Sequence, residues 1–199
     1  MIEVTLLGTS SMVPTKDRNQ SSLLITYKGE GFLVDCGEGT QRQFKLKGIP
    51  LTKITKILLT HWHGDHVFGL PGIMSTLGAM EYQKTLEIYG PKGTKKHIAA
   101  MFEAFEFDKR IKFTVKELDS GTFVDEKDYA LACIPLEHGT PALGYSLIKK
   151  DFRHIDLKKL KKYDVPQGPL LGKLAEGKTI TWKGKKISPK DVTYVEKGK

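Results

Sequence analysis

Leu59-Thr60-His61-Trp62-His63-Gly64-Asp65-His66 is the stretch on which the reading of this chain turns. It follows an apolar run, and residues 56–60 (KILLT) read as a short strand leading straight into it. His61 and His63 stand two apart at a strand end, so their rings emerge on the same side. Gly64 permits a sharp turn. Asp65 and His66 then open the next helix and can face back toward the same point. Four donor groups within six residues can serve two adjacent metal ions, the imidazole pair suiting one and the Asp–His pair the other. The alternative is a chance cluster of solvated histidines. Against it, three of the six histidines of the chain fall in this one hexapeptide, beside an acid and after an apolar strand.

A metal pair fits hydrolysis. Zinc lowers the pKa of bound water to about 7, and two ions about 3.5–4 Å apart can stabilise the attacking and leaving oxygens of a phosphodiester. A carboxylate between them can orient the water and accept its proton, and Asp65 is the natural candidate.

Outward from this stretch, His138 ends the apolar run 129–137 and precedes Gly139-Thr140-Pro141, which suits either a ligand pointing into a cleft or a core histidine. Asp35, in Val34-Asp35-Cys36-Gly37, is a carboxylate at the end of a buried strand. Burial without a partner is costly. It therefore reads either as the group that holds a metal-ligating imidazole or as a turn acid. His97 and His154 lie in basic stretches and read as surface residues. Cys36 and Cys133 sit in apolar runs and read as buried free thiols.

The periodicity predicts strands over 2–7, 22–27, 32–36, 86–90, 111–118, 122–124, 129–138 and 143–148. Helices are predicted over 37–47, 65–80 and 94–106. The turn residues 28–31 (KGEG) make 22–36 a hairpin. Strands with interspersed helices give an α/β or α+β class. Near residue 149 the texture changes. Residues 149–199 are rich in lysine, glycine and proline, with thinly spread apolar residues. They read as a small appendage with one short helix near 156–163 and a weak hairpin, and with no core of its own. The predicted division is therefore 1–148 and 149–199.

With 199 residues, 39% hydrophobic and 28% charged, the chain is globular and has room for one domain plus an appendage. No apolar run approaches the roughly 18 residues of a membrane span. The amino terminus (MIEVTLLGTS) carries an acid where a secretion signal carries bases, so the expected location is cytoplasmic. Two cysteines are too few for a disulfide framework.

The net charge of +9 is unevenly placed. Residues 1–148 hold 17 bases and 17 acids, whereas residues 149–199 hold 15 bases and 6 acids. An excess confined to one segment points to a polyanionic partner. Because the bases are nearly all lysine, sequence-independent contact with phosphates is the expected mode.

The hexapeptide resembles the HxHxDH signature of the metallo-β-lactamase superfamily, and further stretches narrow the resemblance to its ribonuclease Z (tRNase Z) family. These are LLGTSSMVPTKDRNQSS at 6–22, DCGEGTQRQF at 35–44, LTHWHGDHVFGLPG at 59–72, EHGTPALGYSL at 137–147 and VPQGPLLGKLAEG at 165–177. The resemblance implies an αβ/βα sandwich, of which this chain carries the amino-terminal portion, with a protruding basic arm. It implies one zinc on His61, His63 and His138 and a second on Asp65 and His66, with Asp65 also accepting a proton. Gly168 and Pro169, with Lys158, Lys159, Lys161 and Lys162, would belong to an arm that binds tRNA. The implied activity is zinc-dependent endonucleolytic removal of the 3′ trailer of precursor tRNA, in a cytoplasmic homodimer.

The family pattern also includes a bridging aspartate, in a Gly-Asp-Thr segment, and further histidines beyond the arm, which this sequence lacks. The expectation is that the chain needs a missing carboxy-terminal half, in the same polypeptide or supplied by another. A tRNA-binding fragment without turnover is the alternative, and a small-molecule metallohydrolase of the same superfamily is the third reading.

Overall fold

The computed structural model describes residues 1–106 and 111–198. Residues 107–110, within the predicted 1–148 division, and Lys199, last of the predicted 149–199 segment, lie outside the described residues. The chain divides into two compact units, Met1–Phe123 with Cys133–Ser146 and Val124–Ala132 with Leu147–Lys199.

The first unit is built on a six-stranded sheet. Its strands are β1 (Glu3–Gly8), β2 (Ser22–Tyr27), β3 (Glu30–Val34), β4 (Ile54–Leu58), β5 (Thr85–Gly90) and β6 (Lys112–Glu117), in that spatial order. β1, β2 and β3 pair antiparallel, and β3 through β6 run parallel. The β2–β3 turn is tighter than the four residues predicted. Lys28 and Gly29 alone form it, with φ of 52° and 82°, the backbone of a two-residue hairpin whose twist matches the strands.

Helices α1 (Thr40–Leu46), α3 (Leu70–Ala79) and α4 (Thr94–Ala104) connect the parallel strands. Phe44 of α1, Leu70, Ile73, Met74 and Leu77 of α3 and Ile98 of α4 bury against Leu33, Ile57, Leu86 and Ile88 of the sheet. Every residue of β4 is buried, as expected of a central parallel strand covered on both faces. The site-bearing loop therefore leaves from the most enclosed strand of the sheet.

The predicted helix 65–80 is broken. A single turn, α2 (Gly64–Val67), is followed at Leu70 by α3, with Pro71 in its first turn. Proline is tolerated there because that N–H has no helical partner in any case, but its ring prevents one continuous helix. The strand predicted over 32–36 ends at Val34, since Asp35 turns into the left-handed region at φ 56°.

A three-stranded sheet contains β7 (Gly121–Asp125), β8 (Tyr129–Leu136) and β9 (Ala142–Lys149) in that order, and the division between the units falls within all three strands. On β8, Ile134 and Leu136 are 62% and 49% exposed.

The second unit corrects the expectation of a coreless appendage. Leu160, Leu174, Ile180, Ile187 and Val192 are buried together, with Ile155, Tyr163 and Trp182 packed around them. They come from five short elements: α5 (Leu157–Leu160), α6 (Pro169–Ala175), β11 (Ile180–Trp182), β12 (Lys185–Ile187) and α7 (Pro189–Val192). The hairpin is β11–β12. Two strands unread from sequence, β10 (Phe152–Ile155) and β13 (Thr193–Glu196), pair antiparallel. Among the described residues no helix is long and apolar enough to cross a membrane.

Candidate metal centre

Parallel pairing of β3 and β4 explains why the candidate residues meet. Val34 is the register partner of Leu58, and the Asp35 N–H donates to the Leu58 carbonyl at 3.0 Å. The first residues beyond both strands therefore leave the same edge of the sheet together. Such carboxyl-terminal edges are where open α/β sheets place ligands.

The loop after β4 is held from several sides. Leu59 N–H donates to Tyr89 of β5 at 2.8 Å. From β9, Leu143 N–H donates to the Thr60 carbonyl at 2.8 Å, and the Tyr145 hydroxyl donates to the Leu59 carbonyl at 2.8 Å. The α2 turn is tied to the residues after β3 by Cys36 N–H donating to the His66 carbonyl at 2.7 Å and Gly69 N–H donating to the Cys36 carbonyl at 2.8 Å. That approach requires glycine: a Cβ on Gly69 would lie 2.2 Å from the Gly37 carbonyl oxygen.

On this frame His61, His63 and His138 converge, with one candidate ligand nitrogen from each lying within 4.8 Å of the others. His61 is buried, whereas His63 and His138 are exposed. His61 Nε2 and His63 Nδ1 are 3.1 Å apart. Two nitrogens on a tetrahedral zinc, each about 2.0–2.1 Å from the ion, are separated by about 3.3 Å, so the donor pair fits such an ion. His138, open between ligand and core histidine on sequence alone, is not a core residue. Its ring centroid lies 4.5 Å from that of His61 and 5.2 Å from that of His63.

Asp65 and His66 form the neighbouring pair. Both lie in α2, with His66 Nε2 3.5 Å from Asp65 Oδ2 and the His66 ring 4.1 Å from the His61 ring. Asp65 is buried. The buried Asp35 reaches His66 on its other side, with Nδ1 at 2.7 Å from Oδ2. Of the two readings left open for Asp35, the structure thus places it against an imidazole of the site. Thr60, which the sequence reading passed over, also binds it: its N–H donates to Oδ1 at 2.8 Å, and its hydroxyl lies 2.8 and 3.0 Å from the two carboxylate oxygens. A hydroxyl residue directly before the first histidine was the signal available for it.

Burial pushes His61 down to about 4, helped by the neighbouring His66, His138 and His63 rings and opposed by Asp35. It is therefore neutral, as a ligand must be, well below neutral pH. The hydrogen bond to Asp35 holds His66 above the ordinary histidine range, against the effect of burial. Cys36, the residue after Asp35, is fully buried, and burial pushes its thiol far above the ordinary range.

His97 is exposed as predicted but stacks on Trp62, with centroids 4.7 Å apart, while the Trp62 indole donates to Thr94 at 2.9 Å. His154, in β10, meets Glu196 at 2.8 Å. Lys158, Lys159, Lys161, Lys162, Gly168 and Pro169 all lie exposed in the second unit. Asp156 caps α5 by accepting from the Lys158 and Lys159 N–H groups, and Gly168 caps α6 with Pro169 as its first residue.

Comparison with known proteins agrees with this geometry. The family model described as Metallo-beta-lactamase superfamily matches residues 15–150, which include all five clustered residues of the site. The chain belongs to the metallo-β-lactamase superfamily. Within that superfamily it is a homologue of ribonuclease Z. It is 40% identical over 200 residues to Ribonuclease Z of Nanoarchaeum equitans, covering 98% of this chain and 61% of that protein. It is 41% identical over 194 residues to Ribonuclease Z of Thermococcus kodakarensis, covering 97% and 62%. The crystal structure of human tRNase Z, short form, superposes with a TM-score of 0.69 at 32% identity, covering 75% of this chain and 65% of that one. The chain thus has a metallo-β-lactamase-like α/β fold and spans about three fifths of the length of the curated relatives it matches.

Proposed function

We propose that this chain carries the metal-binding part of a zinc-dependent endoribonuclease that removes the 3′ trailer from precursor tRNA. The observation that carries the reading is the convergence of His61, His63 and His138 beside the Asp65–His66 pair, in a homologue of ribonuclease Z. In this reading His61, His63 and His138 hold one zinc, and Asp65 and His66 contribute to a second. Zinc held there supplies Lewis acidity at a phosphodiester and brings the ionisation of water near neutral pH.

The chain's own groups do the rest. Asp65, buried and with an oxygen turned to His66, orients the attacking water and takes its proton. Asp35 fixes the His66 ring from behind. The exposed Lys158, Lys159, Lys161 and Lys162, with the Gly168-Pro169 turn, meet tRNA phosphates within a 149–199 binding segment. The reading includes a homodimer in the cytoplasm and completion of the second zinc site by residues that the longer relatives possess.

The test incubates the zinc-loaded chain with a trailer-bearing precursor tRNA, alone and with the carboxy-terminal portion of a full-length relative. The expected products of the complemented chain are a tRNA with a 3′-hydroxyl and a 5′-phosphorylated trailer. Hydrolysis of small esters with intact precursor tRNA would defeat the reading.

A second reading, tRNA binding without turnover, is favoured by one observation. Among the described residues, the convergent group of potential ligands is His61, His63 and His138 alone. It predicts salt-sensitive tRNA affinity with no turnover in the isolated chain.

A further inference from the structure

Asp35 has more partners than one imidazole requires. Its Oδ2 faces His66 Nδ1 at 2.7 Å, and both its oxygens face the Thr60 hydroxyl, at 2.8 and 3.0 Å. The same Thr60 oxygen lies 2.9 Å from His61 Nδ1. A hydroxyl has one proton to give, and here two groups could take it. If it went to His61, an oxygen lone pair of Thr60 would face both carboxylate oxygens at hydrogen-bond distance with no proton between them. Bonds to an ionised acceptor are also roughly twice as strong as neutral ones. The proton therefore goes to Asp35. The Thr60 oxygen is left as an acceptor, and His61 must donate to it from Nδ1. A neutral imidazole that carries its proton on Nδ1 has its lone pair on Nε2, the nitrogen that faces His63.

We propose that Asp35 is a shared clamp that fixes the tautomers of two imidazoles, His66 directly and His61 through the Thr60 hydroxyl, so that both present Nε2 to metal. Thr60 is then a positioning residue. It binds no metal itself and transmits the orientation set by Asp35 to the first histidine of the motif. One carboxylate thereby serves both donor groups, the three-histidine cluster and the Asp65–His66 pair, and links their geometry. Such outer partners of ligating histidines typically alter metal affinity 10- to 100-fold when removed. The inference rests on the metal reading above but not on the identity of the substrate.

The test uses the metal-free full chain labelled with nitrogen-15 in histidine, in mildly alkaline solution, where ring nitrogen shifts and couplings report the tautomer directly. In the unaltered protein, His61 and His66 are both expected with the proton on Nδ1. Thr60→Val keeps the shape but removes the hydroxyl. It is expected to abolish the preference at His61, leave His66 unchanged, and weaken zinc or cobalt binding about 10- to 100-fold. Thr60→Ser restores the hydroxyl and is expected to restore both readouts, which separates the relay from a packing role. Asp35→Asn is expected to disturb both rings, since asparagine tolerates the same left-handed backbone but replaces one acceptor oxygen with an NH2 donor. A proton on Nε2 of His61 in the unaltered chain would overturn the relay, as would a Thr60→Val protein with His61 unchanged. Loss of RNA cleavage with tautomers intact would count against the functional reading alone.

Discussion

The loop after β4 and the segment after Lys149 are both rich in charged or titratable residues, and they hold them in opposite ways. At the loop, two of the histidines are held through Asp35, which follows β3: Asp35 meets Thr60 and His66, and His61 meets Thr60. In the segment, lysines stand out from a five-residue core, and ion pairs such as Lys178–Glu176 at 2.7 Å are exposed on both sides. Exposed pairs are individually worth about 0–1 kcal/mol. The first arrangement can position a reaction and the second can only attract and hold. Perturbing the loop should therefore act on chemistry and stability, and perturbing the segment on affinity and its salt dependence.

The largest effect is expected at Asp65. In the complemented, zinc-loaded protein, Asp65→Ala should lower the single-turnover cleavage rate by about 10²–10⁴-fold, the usual contribution of a positioned acid–base group, with tRNA affinity little changed in a filter-binding assay. Retained cleavage would erase the contrast between the regions. The counterpart in the segment replaces Lys158, Lys159, Lys161 and Lys162 with alanine. The slope of log affinity against log salt should fall by about 3, at somewhat under one released ion per phosphate contact, while zinc binding by isothermal titration stays as it was.

A backbone change sharpens the claim that the loop is over-determined. Gly69→Ala drives a Cβ against the Gly37 carbonyl oxygen and should cost about 1–3 kcal/mol in a denaturant titration. Gly172→Ala in the second unit, where a Cβ meets nothing within 4 Å, should not destabilise.

Next comes pH. His61 in the folded protein is depressed to about 4, so the unfolded chain takes up this proton first. Metal-free stability should decline as pH falls from about 6.5 toward 4. His66 is shifted upward and acts in the opposite sense. Its contribution is full below the ordinary histidine value and is lost as pH rises through its higher folded value. His61→Gln should flatten the acid-side decline, as measured by denaturation at a series of pH values. The smallest effect concerns β8, where Ile134→Thr should reduce concentration-dependent light scattering by shrinking an exposed apolar surface.

What the sequence revealed follows the same divide. The spacing of His61, His63, Asp65 and His66 is local, so the strand–turn–helix arrangement could be read from eight residues. Asp35 was half legible: its burial followed from its strand, but its partner is set by the β3–β4 register, which no local pattern carries. Thr60 carried only a weak signal, a hydroxyl directly before the first histidine, and that hydroxyl gains its meaning only once the β3–β4 pairing brings Asp35 against it. The second core escaped for a related reason. Leu160, Leu174, Ile180, Ile187 and Val192 come one each from five short elements, so no periodic run announces them. Pro71 was visible, yet the overall helical tendency of 65–80 outweighed it.

Cys36 bears on which metals the centre would choose. Cys36, the residue after Asp35, is wholly enclosed and kept protonated by burial, and among the described residues the donors that converge are imidazoles, with the Asp65 carboxylate beside His66. Ions that favour thiolate, such as cuprous copper, meet no reactive sulfur there, whereas zinc, cobalt and nickel find nitrogen and oxygen donors they accept. The same enclosure shields that thiol from peroxide, so an oxidising environment has no easy route to the centre through Cys36.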